Sequence, residues 1–485
     1  MESSVKEITP GSLVYVARSM EGLQVKELLS DATISLLRSY PGVLSMTTTT
    51  DSSIIAFSDK RGITLLETEK FSTLKEIPCE YIVELLFSPK SKYICAYKRS
   101  SPNKISAMTI YDTSNGNKVN EVQWRRSSTI AEYTKFSTDD KYMLVSPLKN
   151  DVTVYSCTDP FKSLVNYKCS LVLSIEMVPY EYVHPETPGP YFSVVEPITD
   201  SENCCAKFIP LNAPSEAKLV MKKFEIQKVD TATTLLSPNN CAILYWLESQ
   251  EDPSGKYYYG IHCIYYMQLI GGKKRCKVFM EGGTIHDARW SPDGNSFIML
   301  SGSQPAKVVV FNHECNQMYE MEAGYKNYAR FSDGGRFLML GGFGNLAGDV
   351  EFWDFKRKAM IGNCKAFCTV TTEWACDSQL IMAAILNPRM RVDNSITFFD
   401  FTGKKLVVDS YTTTELYEVK WIKSSPLKLE GDINITVDYK AKKMKIIPLP
   451  PSKPPKTEVK KEEKKVEKPE VKKSGKKKHK PEAKH

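Results

Sequence analysis

Three stretches of this chain gather cationic side chains that can meet an anion. Asn387-Pro388-Arg389-Met390-Arg391 places two guanidinium groups on a loop between strand-like segments, and the planar fork of arginine suits two-point contact with phosphate. The plain alternative is a solvated hairpin. Lys273-Lys274-Arg275 follows the aromatic run Tyr257-Tyr258-Tyr259. Those tyrosines are expected to face neighbouring structure rather than to stack on bases. The third group, Lys472, Lys473, Lys476, Lys477, Lys478 and Lys480, lies near the C-terminus and can release counterions from any polyphosphate. Its signal is unspecific, fitting RNA, an acidic protein or a nuclear import signal alike.

Covalent chemistry has no comparable footing. The chain contains no G-x-x-x-x-G-K-[ST], G-x-S-x-G, H-E-x-x-H or EF-hand string, so the common phosphate-binding and hydrolase signatures are missing. Gly341-Gly342-Phe343-Gly344-Asn345, with Gly348 close behind, resembles a dinucleotide loop only superficially. It leads into the strand-like VEFWD and not into a helix whose N-terminus would hold a pyrophosphate. A glycine-rich hairpin passing close to a neighbouring backbone is the expected reading. His262 beside Cys263, and His313 two residues before Cys315, come nearest to metal spacing, but both pairs sit in strand-like surroundings that favour ordinary packing. The expectation is a non-enzyme with no cofactor, no metal and no small-molecule substrate.

The elements that must carry the cationic groups are read from composition and period. The formal charge is +8, yet residues 452–485 hold 14 Lys against 6 Glu, leaving 51 basic and 51 acidic residues elsewhere. The body is therefore neutral. Tyr (25) and Phe (20) are abundant enough to lean toward β structure. Thirteen cysteines without C-x-x-C spacing read as reduced thiols. No leader-like segment opens the sequence, and the longest apolar run, Leu380 to Leu386, is too short to span a bilayer. A cytoplasmic protein with no membrane contact is expected, and the lone Asn434-Ile435-Thr436 triplet does not alter that.

A segment in which an apolar or aromatic residue and a small residue precede a turn and an apolar strand recurs along the chain. It reads LFSPKSKYICAY from Leu86, KFSTDDKYMLVS from Lys135, LLSPNNCAILYW from Leu235, RWSPDGNSFIMLS from Arg289, RFSDGGRFLMLGG from Arg330 and EWACDSQLIMAA from Glu373. The last four starts are 54, 41 and 43 residues apart. Second alternating strands follow at Met108, Val152, Lys307, Val350 and Ile396. Pro-Asp-Gly or Ser-Asp-Gly-Gly makes the tight turn, and alternation buries strand faces. One such sheet cannot bury both faces alone, so the units must stack radially. Weaker starts at Thr47, Ser174 and Tyr417 bring the number to nine. The predicted architecture is all-β: one large β-propeller of four-stranded blades over residues 1–447, with nine blades favoured over seven or eight. A strand at Ser12 to Val16 is expected to close the ring against Ile433 to Val437. From Pro448 onward the Lys, Glu and Pro blocks cannot bury enough surface to fold, so 448–485 is expected to be a disordered basic tail.

Particular strings narrow the reading. IHDARWSPDG, QPAKVVVFN, ARFSDGGRFLMLGGFGNLAGDVEFWD, NPRMRVDNSITFFDFTGK and ELYEVKW together resemble the eukaryotic translation initiation factor 2A family. There GFGNL-x-G, E-x-WD and the loop P-R-x-R-V-x-N occur in this order at similar separation. The motif-level resemblance runs from Lys222 to Trp421, and the rest of the ring follows by repeat layout. It implies a cytoplasmic, non-catalytic scaffold that docks on the small ribosomal subunit and promotes GTP-independent delivery of initiator methionyl-tRNA. It also implies mRNA and other initiation factors as partners. The alternative is a protein-binding hub like the propeller subunit of initiation factor 3.

Overall fold

In the computed structural model, residues 8 to 448 are described, apart from residue 10 and the segments 100–105, 159–160, 179–189, 200, 212–219, 253–254, 259, 271–274, 279–282, 423–432 and 434–440. Among the described residues every regular element is a strand. The strands form nine antiparallel sheets, each built in order a, b, c, d. The a strands are Leu416–Ile422 of blade 1, Ser45–Thr48, Ile82–Phe87, Thr134–Phe136, Ser174–Val178, Thr231–Leu236, Ile285–Trp290, Tyr328–Phe331 and Thr371–Trp374 of blades 2 to 9. Neighbouring a strands approach one another around the axis. All nine repeat starts, including the three weak ones, fall on a strands. The nine-bladed ring is therefore as expected.

The recurring serine or threonine works through its side chain. In blade 7, Ser291 Oγ donates to Asp293 Oδ1 at 2.5 Å, and the same carboxylate accepts the Asn295 amide at 3.0 Å. Ser137 with Asp139, Ser237 with Asn239 and Thr49 with Asp51 repeat the contact at 2.7, 2.8 and 2.7 Å. Such Asx turns close the a–b hairpin locally. The next corner residue takes a left-handed conformation, filled by Gly294 and Gly335 in two blades and by Asp140 and Asn240 in two others. Asn and Asp tolerate that region better than other side chains.

Packing occurs between blades. Phe297, Phe311, Tyr266 and Leu244 form one cluster across blades 6 and 7, and Tyr15, Phe398 and Trp421 form another across blades 9 and 1. Indoles also reach backward along the inner ring. Trp290 Nε1 donates to the Leu235 carbonyl at 3.0 Å, Trp374 to Arg330 at 3.2 Å, and Trp421 to Glu373 at 3.1 Å. Carboxylates reach forward: Glu84 accepts the Ile130 amide at 3.0 Å, Asp287 that of Ala329 at 2.9 Å, and Glu373 that of Trp421 at 3.0 Å.

The ring is closed by the N-terminal strand, but not at the expected partner. Leu13–Ser19 pairs with Leu416–Ile422 on one side and Gly22–Leu28 on the other. The strand-like LYEVKWI is itself the a strand of blade 1, so the N-terminal strand is strand b and needs no further partner. Residues 434–437 lie outside the described residues, and Ile433 packs beside the cluster of Phe399 and Trp374. A second difference is a short fifth strand, Lys445–Ile446, on the outer edge of blade 7, where it pairs with Gln317–Gly324.

Tyr15 is fully buried, its hydroxyl donates to Asp409 at 2.8 Å, and Lys26 binds the same carboxylate at 2.7 Å. Burial first, and the Asp409 charge second, push its phenol far above the ordinary value. Tyr15→Ala should remove about 4 kcal/mol of stability by emptying the seam and leaving Asp409 one donor short. Denaturant unfolding followed by tryptophan fluorescence measures this.

Candidate functional site

The b–c and d–a loops share one end of the blades, and the a–b and c–d loops share the other. At the first end, three loops distant in sequence converge on the glycine hairpin. Gly342 lies so near the Tyr325 carbonyl that an added Cβ would sit 2.1 Å from its oxygen. Asn327 braces the hairpin twice, accepting the Phe343 amide at 2.9 Å and donating to the Phe343 carbonyl at 2.9 Å. Phe343 turns inward and meets Tyr328 edge-on at 5.2 Å. On the far flank, the Gly348 carbonyl accepts the Ala366 amide at 2.8 Å, next to Phe367. At the tip, Gly344 has φ +71° and an added Cβ there would lie 2.6 Å from the Arg389 guanidinium nitrogen. The hairpin is thus a close-approach element, as its glycines suggest, and the string P-R-M-R folds onto it.

The arginine loop is held from below. The Asn387 amide donates to the Leu416 carbonyl at 2.8 Å, and the Met390 amide to Leu386 at 2.9 Å. Asn394, 3% exposed, accepts the Leu416 amide at 3.0 Å and donates to the Met390 carbonyl at 2.9 Å. Arg389 and Arg391 are both exposed, and no described carboxylate forms an ion pair with either. The loop therefore holds its backbone still while its two cations remain available to an anion.

The other cationic candidates are not brought to this place. Lys273 and Lys274 lie outside the described residues, as do Lys472, Lys473, Lys476, Lys477, Lys478 and Lys480. Arg275 opens strand d of blade 6, Arg275–Val278. Tyr257 and Tyr258 precede strand c of that blade, Ile261–Gln268, whereas Arg275 comes after it. Tyr257 packs against Gly283, whereas Tyr258 is 93% exposed. Tyr257 thus faces neighbouring structure as expected, Tyr258 is largely exposed, and Tyr259 lies outside the described residues.

The histidines have ordinary settings. His262 Nδ1 lies 3.3 Å from the Ile285 carbonyl and 3.6 Å from Glu248, and Cys263 is buried. Among the described residues no group of three or more His, Cys, Asp or Glu side chains is placed to hold a metal ion. A cavity of about 460 Å³ lies where blades 4, 5 and 6 meet, with Glu132, Lys135, Asp230 and Thr231 among its walls. Burial raises the carboxyls of the inner-strand residues Glu176, Glu418 and Glu84 above the ordinary range. No helix among the described residues is long and apolar enough to cross a membrane.

Fold and loops together define a nine-bladed β-propeller that presents a glycine hairpin and an arginine loop on one end. The chain is similar to the eukaryotic translation initiation factor 2A family. The family model "Eukaryotic translation initiation factor eIF2A" matches residues 224–419, which include both loops. The protein named eukaryotic translation initiation factor 2A of Dictyostelium discoideum is 26% identical over 78% of this chain and 60% of its own length. Its namesake in Saccharomyces cerevisiae is 24% identical over 70% of this chain and 56% of its own. The chain thus spans little more than half the length of these relatives. A subunit of eukaryotic translation initiation factor 3 from Xenopus laevis is more remote, at 21% identity over 73% of this chain and 50% of its own. A crystal structure described as that of a eukaryotic initiation factor shares the fold with TM-score 0.71 at 21% identity, over 86% of this chain and 99% of that one.

The hairpin and the inner ring each yield a measurable expectation. Gly342→Ala should unfold the hairpin or cost several kcal/mol, because its Cβ meets backbone. Gly344→Ala should cost only about 1 to 2 kcal/mol, because a side chain can retreat from it. Thermal melts of the two variants rank them. Glu176 has its folded pKa above its unfolded value, so the folded state holds the extra proton and stability falls as pH rises through that range. Glu176→Gln should raise the melting temperature at neutral pH and flatten its decline between acid and neutral conditions.

Proposed function

We propose that this protein is a non-catalytic translation initiation factor: its ring docks on the small ribosomal subunit and its cationic groups hold RNA phosphates. It acts in the cytoplasm, promotes delivery of initiator methionyl-tRNA without GTP, and meets mRNA and other initiation factors there. One observation carries this reading. The two strings by which the sequence resembles the family, GFGNL-x-G and P-R-x-R-V-x-N, meet at Gly344 and Arg389 on a single surface. Strings needed only for packing would not have to present two exposed guanidinium groups.

The segment 448–485 supplies a second, unspecific hold, since its lysines far outnumber its glutamates. Lysine-rich segments neutralise phosphates and release counterions, which makes binding weaken steeply with salt. Ring and tail then divide the work between placement and retention. The hub reading, a protein-binding propeller in the manner of initiation factor 3, draws support from the remote match to a subunit of that factor.

Co-sedimentation with purified small ribosomal subunits over a salt series tests the proposal. Deleting 452–485 should weaken binding and flatten its salt dependence while leaving the melting temperature within a few degrees of the full chain. Arg389→Glu combined with Arg391→Glu should reduce binding at every salt concentration. If the full chain does not co-sediment, or if nuclease-treated factor mixtures retain it without subunits, the hub reading takes over.

A further inference from the structure

Apolar exposure is unevenly distributed over the ring. Among the described residues twelve large apolar side chains are exposed; seven sit in b–c or d–a loops and none in an a–b or c–d loop. The a–b turns are instead sealed by their Asx contacts. Near that end, the outer edges of blades 7 and 8 are also covered by the chain itself. Met444 is buried between the two blades, its amide donates to Lys358 at 3.0 Å, and the Ile447 amide donates to Met318 at 2.9 Å. Lys442 adds ion pairs to Glu322 at 3.1 Å and Glu351 at 3.4 Å.

At the opposite end the glycine hairpin is flanked by two exposed rings, Tyr325 at 59% and Phe367 at 62%. Each belongs to a d–a loop that touches the hairpin backbone, at Gly342 and Gly348 respectively. Arg389 touches its tip. The described b–c and d–a loops of blades 7 to 9, residues 302–305, 325–327, 342–348, 366–370, 386–394 and 411–415, contain two acids, Asp393 and Glu415, against Lys326, Arg389 and Arg391. Lys326 is internal, paired with Glu351 at 2.5 Å, and Glu415 accepts the Tyr417 hydroxyl at 2.7 Å, so the outward cations of these loops are the two arginines. Gly342 and Gly348 are buried against those loops, and the residues the hairpin exposes are Gly344, Asn345 and Ala347.

Resting on the proposed RNA contact of Arg389 and Arg391, we infer that this end of blades 7 to 9 is a platform for single-stranded RNA. Tyr325 and Phe367 stack on unpaired bases across the hairpin, and the two arginines hold the intervening phosphates. Stacked bases need exposed rings and tolerate any sequence, whereas an A-form duplex hides its base faces and would offer only its phosphates. A purely electrostatic contact would give the rings no role. Two exposed guanidinium groups with which no described carboxylate forms an ion pair likewise favour a polyanion as ligand.

Fluorescence anisotropy of the full chain with a labelled single-stranded oligoribonucleotide, and with the same strand annealed to its complement, tests the inference. Phe367→Ala and Tyr325→Ala should each weaken single-strand binding about tenfold and leave duplex binding unchanged. Phe367→Tyr should preserve it. Arg389→Ala with Arg391→Ala should weaken both and reduce the salt slope by about two. Aromatic variants that bind the single strand like the unmodified protein would overturn the platform. So would variants that lose their hold on the small ribosomal subunit while keeping full oligonucleotide affinity, because the partner would then be a protein surface. Failure of the unmodified chain to bind ribosomal subunits would instead count against docking, leaving the solution preference for single strands to be judged separately.

Discussion

The structure depends on the fact that none of its sheets can stand alone. A four-stranded antiparallel sheet with two apolar faces has to be covered on both, and here the main cover is the next sheet around the ring. Buried clusters accordingly belong to pairs of blades, and indole and carboxylate contacts of the inner strands join several blades to their neighbours' backbones. Each bond contributes only about 1 kcal/mol net, but they sit where the blades converge and fix the angular step between them. The last step is taken by the N-terminal strand inserted beside Leu416–Ile422.

That rigid spacing matters at the loop end. Tyr325, the glycine hairpin, Phe367 and the arginine loop come from three consecutive blades, and their mutual placement is inherited from the packing beneath. Asn327 and Asn394 transmit it through short hydrogen bonds to loop backbone. A site built this way needs no adjustment on binding, which lowers the ordering cost that flexible loops incur.

Much of the fold is readable because its code is local. A serine or threonine, an acid or amide two residues on, and a tolerant corner residue specify the hairpin within six residues, so even the weak start at Thr47 is recognisable. Closure defeats the same reading because its pairing joins residues such as Arg18 and Glu418, 400 positions apart, and periodicity says nothing about partners. The LYEVKWI segment looks like one more repeat start, and nothing local shows that its missing strands lie at the other terminus. For the site, the arginines and the glycine hairpin are each visible, but their contact is not, since 45 positions separate Gly344 from Arg389. Tyr325 and Phe367 give no signal at all: a single aromatic in a loop looks like any core residue until its exposure is known.

Joining the two ends of the ring in one blade also imposes a timetable. Ribosomes add roughly 5 to 20 residues each second, so the strand beginning at Leu13 emerges on the order of half a minute before Leu416 exists to receive it. Throughout that interval Val14, Val16 and Ala17, fully covered in the finished ring, have no inner strand beside them. A nascent chain of this design must be kept from pairing elsewhere until its own final repeat is made, and a newborn copy on a neighbouring ribosome offers an equally good match.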